Sequence, residues 1–128
     1  MNVGQAIACA EEVRPGSRIS LETKYRWLRE ADGMMRQRIF RQSSAAARFE
    51  QVGADRAEAD VLQDELELLA PAPFDAMYPH DLCAMTDAAL GETDRYAGEQ
   101  AQYNTILAEL AAWLRREYPP RPGAQWRW

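Results

Sequence analysis

Apolar side chains that recur at steps of three and four residues are the feature that most constrains the fold of this chain. Such spacing places apolar residues on one face of an α-helix, whereas a half-buried strand needs strict alternation. No run of alternating β-branched residues lies between turn signals in the sequence. The pattern therefore predicts an all-α fold: a bundle of three to four main helices with short accessory helices and an extended carboxy-terminal tail.

Helix-breaking and capping residues set the limits of the first two predicted helices. The first helix is predicted over residues 2–13, where the run Arg14-Pro15-Gly16 ends it. The second begins after Ser20, a residue type that suits an N-cap. Asp32 interrupts the apolar stripe of this second helix, whose members are Leu21, Tyr25, Leu28, Met35 and Ile39.

The stretch between the second helix and Pro71 leaves alternatives open. Residues from 42 onward either extend the second helix or form a short separate one, before a break at Gly53 and another short helix over residues 60–69. The run Ala70-Pro71-Ala72-Pro73 cannot lie inside a helix, because each proline lacks a donor and biases its predecessor towards an extended shape.

Two further helices are predicted after these prolines. Over residues 73–90, either one helix kinks at Pro79, or residues 74–78 form a separate turn and the main helix starts at Pro79. Its buried candidates are Phe74, Met77, Leu82, Met85 and Leu90. Gly91 ends or bends this helix, and the last one is predicted over residues 92–118. One face of the last helix carries Tyr96, Tyr103, Leu107, Leu110 and Leu114.

Chain length and composition indicate one domain. The 128 residues are near the commonest size of a single domain, so we expect a bundle over residues 1–118 and a tail containing proline and tryptophan over residues 119–128. No apolar run approaches the length of a membrane span, and the start lacks the features of a signal peptide, so we expect synthesis in the cytoplasm without membrane contact. Cys9 and Cys83 each lie in an apolar helical pattern, which favours free thiols over a disulfide.

Charge is distributed unevenly along the chain. Residues 1–56 carry ten Arg and Lys against seven Asp and Glu, residues 57–94 carry none against ten, and residues 95–128 carry five against three. This separation favours charge-complementary contact between copies or with a partner, and argues against tight wrapping of nucleic acid. A solvated acidic face explains the same block, so both interpretations stand at this point.

Residues that could perform catalysis or bind metal are few. His80 is the only histidine, so a nucleophilic triad or a metal site would have to be built around it. Cys83, Asp81 and Asp87 lie near it, but two soft ligands do not make a structural zinc site. Glu-x-x-His pairs and Gly-x-Gly phosphate turns are absent from the sequence. We therefore predict a protein that is not an enzyme and holds no metal or cofactor, with His80 at the surface.

Nucleic-acid binding has one candidate element. Five arginines cluster on or directly after the second predicted helix: Arg26, Arg29, Arg36, Arg38 and Arg41. They could follow a phosphate backbone. Acidic residues share that helix, however, and no recognition-helix pair precedes it, so helical salt bridges or a protein interface explain the arginines more simply.

Several runs of sequence form a pattern that extends beyond periodicity. The run Pro73-Phe74-Asp75-Ala76-Met77-Tyr78 leads into Leu82-Cys83-Ala84-Met85-Thr86-Asp87, and Gly91-Glu92-Thr93-Asp94-Arg95-Tyr96 opens the last helix. That helix carries Tyr103-Asn104 and Trp113-Leu114-Arg115-Arg116, and residues 24–33 complete the set. These runs resemble the small head-tail connector (adaptor, head-completion) proteins of phages and prophages, most strongly over residues 69–116. Ala97-Gly98-Glu99 stands where that family usually has asparagines, and residues 42–60 have no counterpart in it.

The resemblance implies a structural virion protein. Such a protein is a helical adaptor that forms a ring, usually dodecameric, between the portal and a tail-side connector or stopper protein. DNA passes through the ring without sequence-specific binding. The implied location is the head-tail interface of the virion, after synthesis in the cytoplasm of the host bacterium. The rival hypothesis is a small cytoplasmic helical regulator that binds a single protein partner.

The residues predicted to contact partners lie at the carboxy-terminal end of the chain. They are Arg115, Arg116, Tyr118, Arg121, Trp126 and Trp128. Trp126 and Trp128 have no apolar partner within so short a tail, which favours docking on a neighbouring protein. The alternative is that the tail folds back and covers its own bundle.

Overall fold

The chain forms a bundle of four α-helices in the computed structural model, which describes residues 1–56 and 64–119. The helices are α1 (Val3–Val13), α2 (Leu21–Arg38), α3 (Met77–Ala89) and α4 (Thr93–Glu117). Three short 3-10 helices accompany them, at Phe40–Gln42, Ala54–Arg56 and Phe74–Ala76. The described residues contain no strand, and they include an isolated bridge between Asn2 and Glu67. The predicted all-α bundle with short accessory helices is therefore confirmed, and residues 120–128 of the predicted tail lie outside the described ranges.

Local capping explains where the first two helices begin. The Asn2 side chain accepts a hydrogen bond from the backbone N–H of Gln5 (2.8 Å), and the Gln5 side chain accepts one from Asn2 (2.9 Å). Ser20 Oγ accepts from the backbone N–H of Thr23 (3.2 Å) at the start of α2, as its residue type predicts. Leu21, in the first turn of α2, is 50% exposed instead of joining the buried stripe of that helix.

The predicted short helix over residues 60–69 is wrong for the part that the structure describes. Residues 64–69 are not helical, and residues 57–63 lie outside the described ranges. The carbonyls of Leu66 and Asp64 accept hydrogen bonds from the backbone N–H groups of Val3 and Gly4, each at 2.9 Å. These two donors are the first of α1 and have no partner within their own helix. Segment 64–68 is thus held in a non-helical path because it satisfies the amino terminus of α1.

The prolines before α3 are accommodated by a separate turn. The 3-10 helix Phe74–Ala76 precedes α3, so the alternative with a separate turn is the closer one, but α3 begins at Met77 and not at Pro79. Pro79 is the third residue of α3, where a missing N–H breaks no intrahelical hydrogen bond, so the helix needs no kink there. After residue 42 the chain forms a 3-10 helix and turns, and α2 is not extended beyond Arg38.

An antiparallel hairpin of α3 and α4 forms the largest packed unit, and α1 and α2 pack against α3. The predicted face of α4 is buried at Tyr103, Leu107, Leu110 and Leu114, but Tyr96 is 36% exposed. Leu90, predicted to be buried, is 53% exposed. The reason is that α1 ends at Val13, and Arg14 directly after it contacts Asp87 and Glu99. Residues 88–98 lie beyond these contacts, and every one of them is exposed. We call residues 88–98 the hairpin tip.

Candidate functional site

His80 belongs to an ion-pair network that joins three helices. Its Nδ1 lies 2.6 Å from Glu99 Oε2 on α4, and Glu99 Oε1 accepts a hydrogen bond from Arg14 Nη2 at 3.3 Å. Arg14, directly after α1, also donates to both carboxylate oxygens of Asp87 on α3, at 2.9 and 3.1 Å. The bidentate pair holds α1 against the hairpin. His80 therefore has a structural partner in this network.

The predicted neighbours of His80 do not assemble into a metal site in the described residues. Cys83 is buried, its Sγ lies 3.9 Å from the Ala10 carbonyl oxygen, and burial raises the pKa of its thiol to about 11. A thiol that stays protonated is a poor metal ligand and a poor nucleophile. No group of three or more His, Cys, Asp and Glu side chains in residues 1–56 and 64–119 is placed to hold a metal ion. Cys9 and Cys83 are both free, as the sequence predicts.

Asp32 is a fully buried charged residue in the core of the bundle. Its side chain is fully buried on α2, where it interrupts the apolar stripe. Oδ2 accepts hydrogen bonds from the backbone N–H groups of Ala54 (2.7 Å) and Leu69 (3.1 Å), and Oδ1 accepts from the Tyr78 hydroxyl (2.5 Å). Tyr78 Oη in turn accepts from the Ala70 backbone N–H at 2.8 Å. One carboxylate thus fastens two loops and α3 to α2.

The electrostatic state of this centre follows from its burial. Desolvation raises the pKa of Asp32 to about 6, although the hydrogen bonds from Tyr78, Ala54 and Leu69 favour the charged form. Asp81 on α3 has a pKa raised to about 7, first by burial and then by the charges of Asp32 and Glu30. Its Oδ2 is buried and accepts no hydrogen bond from the described residues. Sequence periodicity does not identify Asp81 as a member of this centre. Asp32 could be identified, because it interrupts the apolar stripe of α2.

A basic groove lies beside the 3-10 helices that follow α2. Its volume is about 380 Å³, and it is lined by Arg36, Phe40, Arg41, Ala46, Ala47, Glu50 and Arg56. Arg36 is buried and donates to both Asp55 carboxylate oxygens (2.7 and 3.1 Å) and to the carbonyl oxygens of Phe49 (3.0 Å) and Val52. Arg41 and Arg56 are exposed. Of the arginines on α2, Arg36 thus forms a salt bridge with Asp55. Arg26 Nε lies 3.8 Å from Oε1 of Glu30, one helical turn further along.

The residues predicted to contact partners fall into three groups: exposed, packed within the chain, and outside the described residues. Arg115 and Arg116 are exposed in the last turn of α4. Tyr118 packs within its own chain: its ring centroid lies 6.0 Å from that of Trp113, and its hydroxyl lies 2.6 Å from Arg48 Nη1. Phe74 extends this group, with its ring centroid 5.5 Å from that of Trp113. Arg121, Trp126 and Trp128 lie outside the described residues.

The hairpin tip is a surface that periodicity did not reveal. It exposes Leu90 and Tyr96 beside the acidic residues Glu92 and Asp94. Leu90 also lines a groove of about 200 Å³ with Val13, which is 52% exposed. Exposed apolar side chains among charged ones are typical of a protein interface.

Comparison of the chain with protein-family models, curated proteins and solved structures found no match. None of the helices in the described residues has both the length and the apolar character needed to span a bilayer. The candidate site is therefore defined by geometry alone: a structural His80 network, a buried carboxylate centre, and charged or aromatic surfaces at the two ends of α4.

Proposed function

We propose that this chain is a head-tail connector of a tailed phage or prophage, a structural virion protein without a catalytic residue. It acts as an adaptor between the portal and a tail-side connector or stopper protein, as a homo-oligomeric ring through which DNA passes. The subunit is made in the host cytoplasm and incorporated at the head-tail interface. It works by shape and by subunit contacts.

The observation that carries this proposal is the carboxy-terminal end of α4. Residues 69–116, which resemble the connector family, fold as one unit: the turn before α3, then α3, then nearly all of α4. At the end of that unit, exposed Arg115 and Arg116 adjoin the ring pair Trp113 and Tyr118. Arginines beside packed aromatic rings are common at protein interfaces, because rigid rings bury area at little entropic cost and guanidinium groups pair with carboxylates.

The cluster around Tyr118 gives this surface a defined shape before any partner binds. Arg48 lies over the Tyr118 ring, with its guanidinium carbon 5.8 Å from the ring centroid, and the Ser44 backbone N–H donates to the Pro119 carbonyl oxygen at 3.1 Å. These contacts hold the end of α4 against the segment that follows α2. A preorganised surface loses less entropy on docking than a mobile one.

Assembly on the portal tests the proposal. The purified chain is mixed with the portal ring encoded beside it and imaged by electron microscopy, and binding is measured by co-sedimentation. We expect decorated portal rings with the unaltered chain and loss of decoration with Arg115→Glu combined with Arg116→Glu. Arg26→Glu, an exposed charge reversal on α2, is the matched control and should still decorate.

Two results contradict the connector proposal. One is a chain that neither forms rings nor binds a portal ring, with or without residues 126–128. The other is a stoichiometric complex with one non-virion protein, as the regulator hypothesis predicts. The neighbouring genes separate the same two hypotheses, because a connector gene is expected beside those for portal and capsid.

A further inference from the structure

Two surfaces of opposite charge have no partner of opposite charge within the described chain. The hairpin tip carries exposed Glu92 and Asp94, and the basic groove carries exposed Arg41 and Arg56. None of these four side chains forms an ion pair with another described residue. The tip also carries exposed Arg95, so its formal charge is −1, from Glu92, Asp94 and Arg95.

The groove is a firm surface. Arg36 lines the groove, and Asp55 neutralises the charge of Arg36 through a bidentate contact. The same guanidinium binds the carbonyl oxygens of Phe49 and Val52, so the segment that forms the groove wall is tied to α2. The net positive charge of the groove therefore comes from Arg41 and Arg56, opposed by Glu50 alone among its lining residues.

The two surfaces lie at opposite ends of α4. The tip contains the first turn of α4, whereas the groove wall adjoins its last turn through Ser44 with Pro119 and Arg48 with Tyr118. A helix of 25 residues is about 37 Å long at 1.5 Å per residue. The tip of a chain therefore cannot reach the groove of the same chain, and a partner for either surface must come from another molecule.

We propose that the hairpin tip of one copy docks in the basic groove of a second copy, as a head-to-tail contact. Glu92 and Asp94 pair there with Arg41 and Arg56, while Leu90 and Tyr96 meet Ala46 and Ala47. A head-to-tail contact leaves one groove and one tip free at the ends of the assembly, so further copies can add. The assembly closes into a ring or grows as a fibre, depending on the rotation between neighbouring copies. The inference rests on the proposed function in that it names the surfaces that meet in the homo-oligomer.

A second copy fits the groove better than nucleic acid does. The chain has a net charge of −5, which opposes a polyanion at long range, and Glu50 stands in the groove itself. The tip supplies apolar as well as acidic groups, and the groove has apolar as well as basic lining. The phosphates of nucleic acid would pair with Arg41 and Arg56 but would leave the apolar lining of the groove without a partner.

Reciprocal charge reversal tests the contact. Association of the full chain, without any portal protein, is measured by sedimentation velocity from about 1 to about 200 μM at low salt and again near 1 M salt, where the Debye length falls to about 3 Å. We expect concentration-dependent association at low salt that weakens at high salt. The groove variant (Arg41→Glu with Arg56→Glu) and the tip variant (Glu92→Arg with Asp94→Arg) should each bind themselves at least about tenfold more weakly.

Mixing gives the decisive comparison. The two variants in equal amounts should associate again, because every groove then meets a tip of opposite charge, and one chain with all four reversals should behave like the unaltered one. Restored association also shows that both variants are folded. Arg26→Glu with Glu109→Arg, two exposed reversals elsewhere, is the matched control and should associate normally.

Three outcomes overturn the inference: an unaltered chain that is monomeric at all concentrations, association that both variants retain, or a groove that binds a DNA duplex while mixing fails to restore association. Each leaves the portal-binding result standing on its own, because that experiment uses Arg115 and Arg116. Failure of the head-to-tail contact and failure of the connector proposal are thus separable.

Discussion

Asp32 and Asp81 are both carboxyl groups of the α2–α3 interface, but Asp32 is fully buried, Asp81 is partly exposed, and their hydrogen bonds differ. Asp32 accepts three hydrogen bonds, so its charged form is partly compensated. Asp81 Oδ2 accepts none from the described residues, and nearby Asp32 and Glu30 add like charge. Removing the first carboxyl should therefore destabilise the fold, whereas neutralising the second should stabilise it.

Asp32→Ala should lower the free energy of unfolding by about 3 kcal/mol or more, because it leaves the amides of Ala54 and Leu69 and the hydroxyl of Tyr78 without their acceptor. Asp32→Asn is the matched control: its carbonyl oxygen still accepts from both amides, so the loss should be about 1 kcal/mol. Urea denaturation followed by circular dichroism measures both. Equal losses in the two variants would contradict the assigned hydrogen bonds.

Stability should fall as the pH rises from about 4 to about 7. The pKa of Asp81 is raised from 3.8 to about 7 in the folded chain, so the folded state holds a proton that the unfolded state has released between these values. The free energy of unfolding therefore decreases from about pH 4 to about pH 7 and levels off above it. Asp32 adds the same trend up to about pH 6.

Asp81→Asn should remove most of that pH dependence and raise the free energy of unfolding at pH 8 by about 1–3 kcal/mol, a range that allows for solvent contact of the partly exposed residue. Thermal unfolding of both chains at pH 5 and pH 8 measures the change in stability and its pH dependence. Asp94→Asn, at the exposed tip, should leave the profile unchanged. A variant of Asp81 that is less stable at pH 8 than the unaltered chain would show that the carboxylate has a favourable partner.

At the level of elements, the segment after α2 depends on α2 for its shape. Arg36 and Asp32 on α2 bind backbone groups of Phe49, Val52 and Ala54, in addition to the turn hydrogen bonds within that segment. Gly53 lies between these contacts with φ +120°, a conformation that side chains rarely adopt. A Cβ there would lie 2.6 Å from both Arg36 Nη2 and Asp55 Oδ1.

Gly53→Ala should therefore destabilise the chain by about 2 kcal/mol or more, through backbone strain and disruption of the Arg36 pair. Gly98→Ala provides the comparison. Gly98 lies on exposed α4 with nothing within 4 Å of its added Cβ, so the helix should gain up to about 1 kcal/mol. Chemical denaturation of both variants measures the difference. Equal effects of the same sign would contradict the different backbone environments of the two glycines.

At the level of the whole molecule, one core connects all four helices, and its carboxy-terminal end is closed by Tyr118 against Trp113 and Arg48. Charge is separated along the long axis of α4, with the acidic tip at one end and the basic groove at the other. Opposite charges at the two ends allow the tip of one copy to meet the groove of another.

A chain that ends at Pro119 should keep its thermal midpoint within about 2 °C and unfold in one cooperative transition, because Tyr118, Trp113 and Arg48 already close the core of the described residues. Coincident far- and near-ultraviolet circular dichroism transitions measure this. A further cut that also removes residues 113–119, including Trp113, Leu114 and Tyr118, should lower the midpoint markedly, since Leu114 is fully buried. A large fall on removing residues 120–128 alone would instead mean that the tail covers its own bundle.

The sequence by itself determined the helices. Ser20, the Arg14-Pro15-Gly16 stop, Gly91 and the three- and four-residue spacing act over a few residues, so they predict α1, the start of α2, and α4 to within about two residues. They do not depend on which helices meet. For the same reason they predicted that Cys9 and Cys83 belong to apolar helix faces.

Only the tertiary structure decided what each face meets. Tyr96 and Leu90 follow the periodicity of buried residues, yet they are exposed because α1 ends before it could cover them. Segment 64–69 leaves its helical pattern because the free N–H groups of α1 take its carbonyl oxygens. Asp32 was visible in the sequence only as an interruption, and its three donors come from distant segments of the chain. Such pairings depend on chain path, which local spacing does not encode.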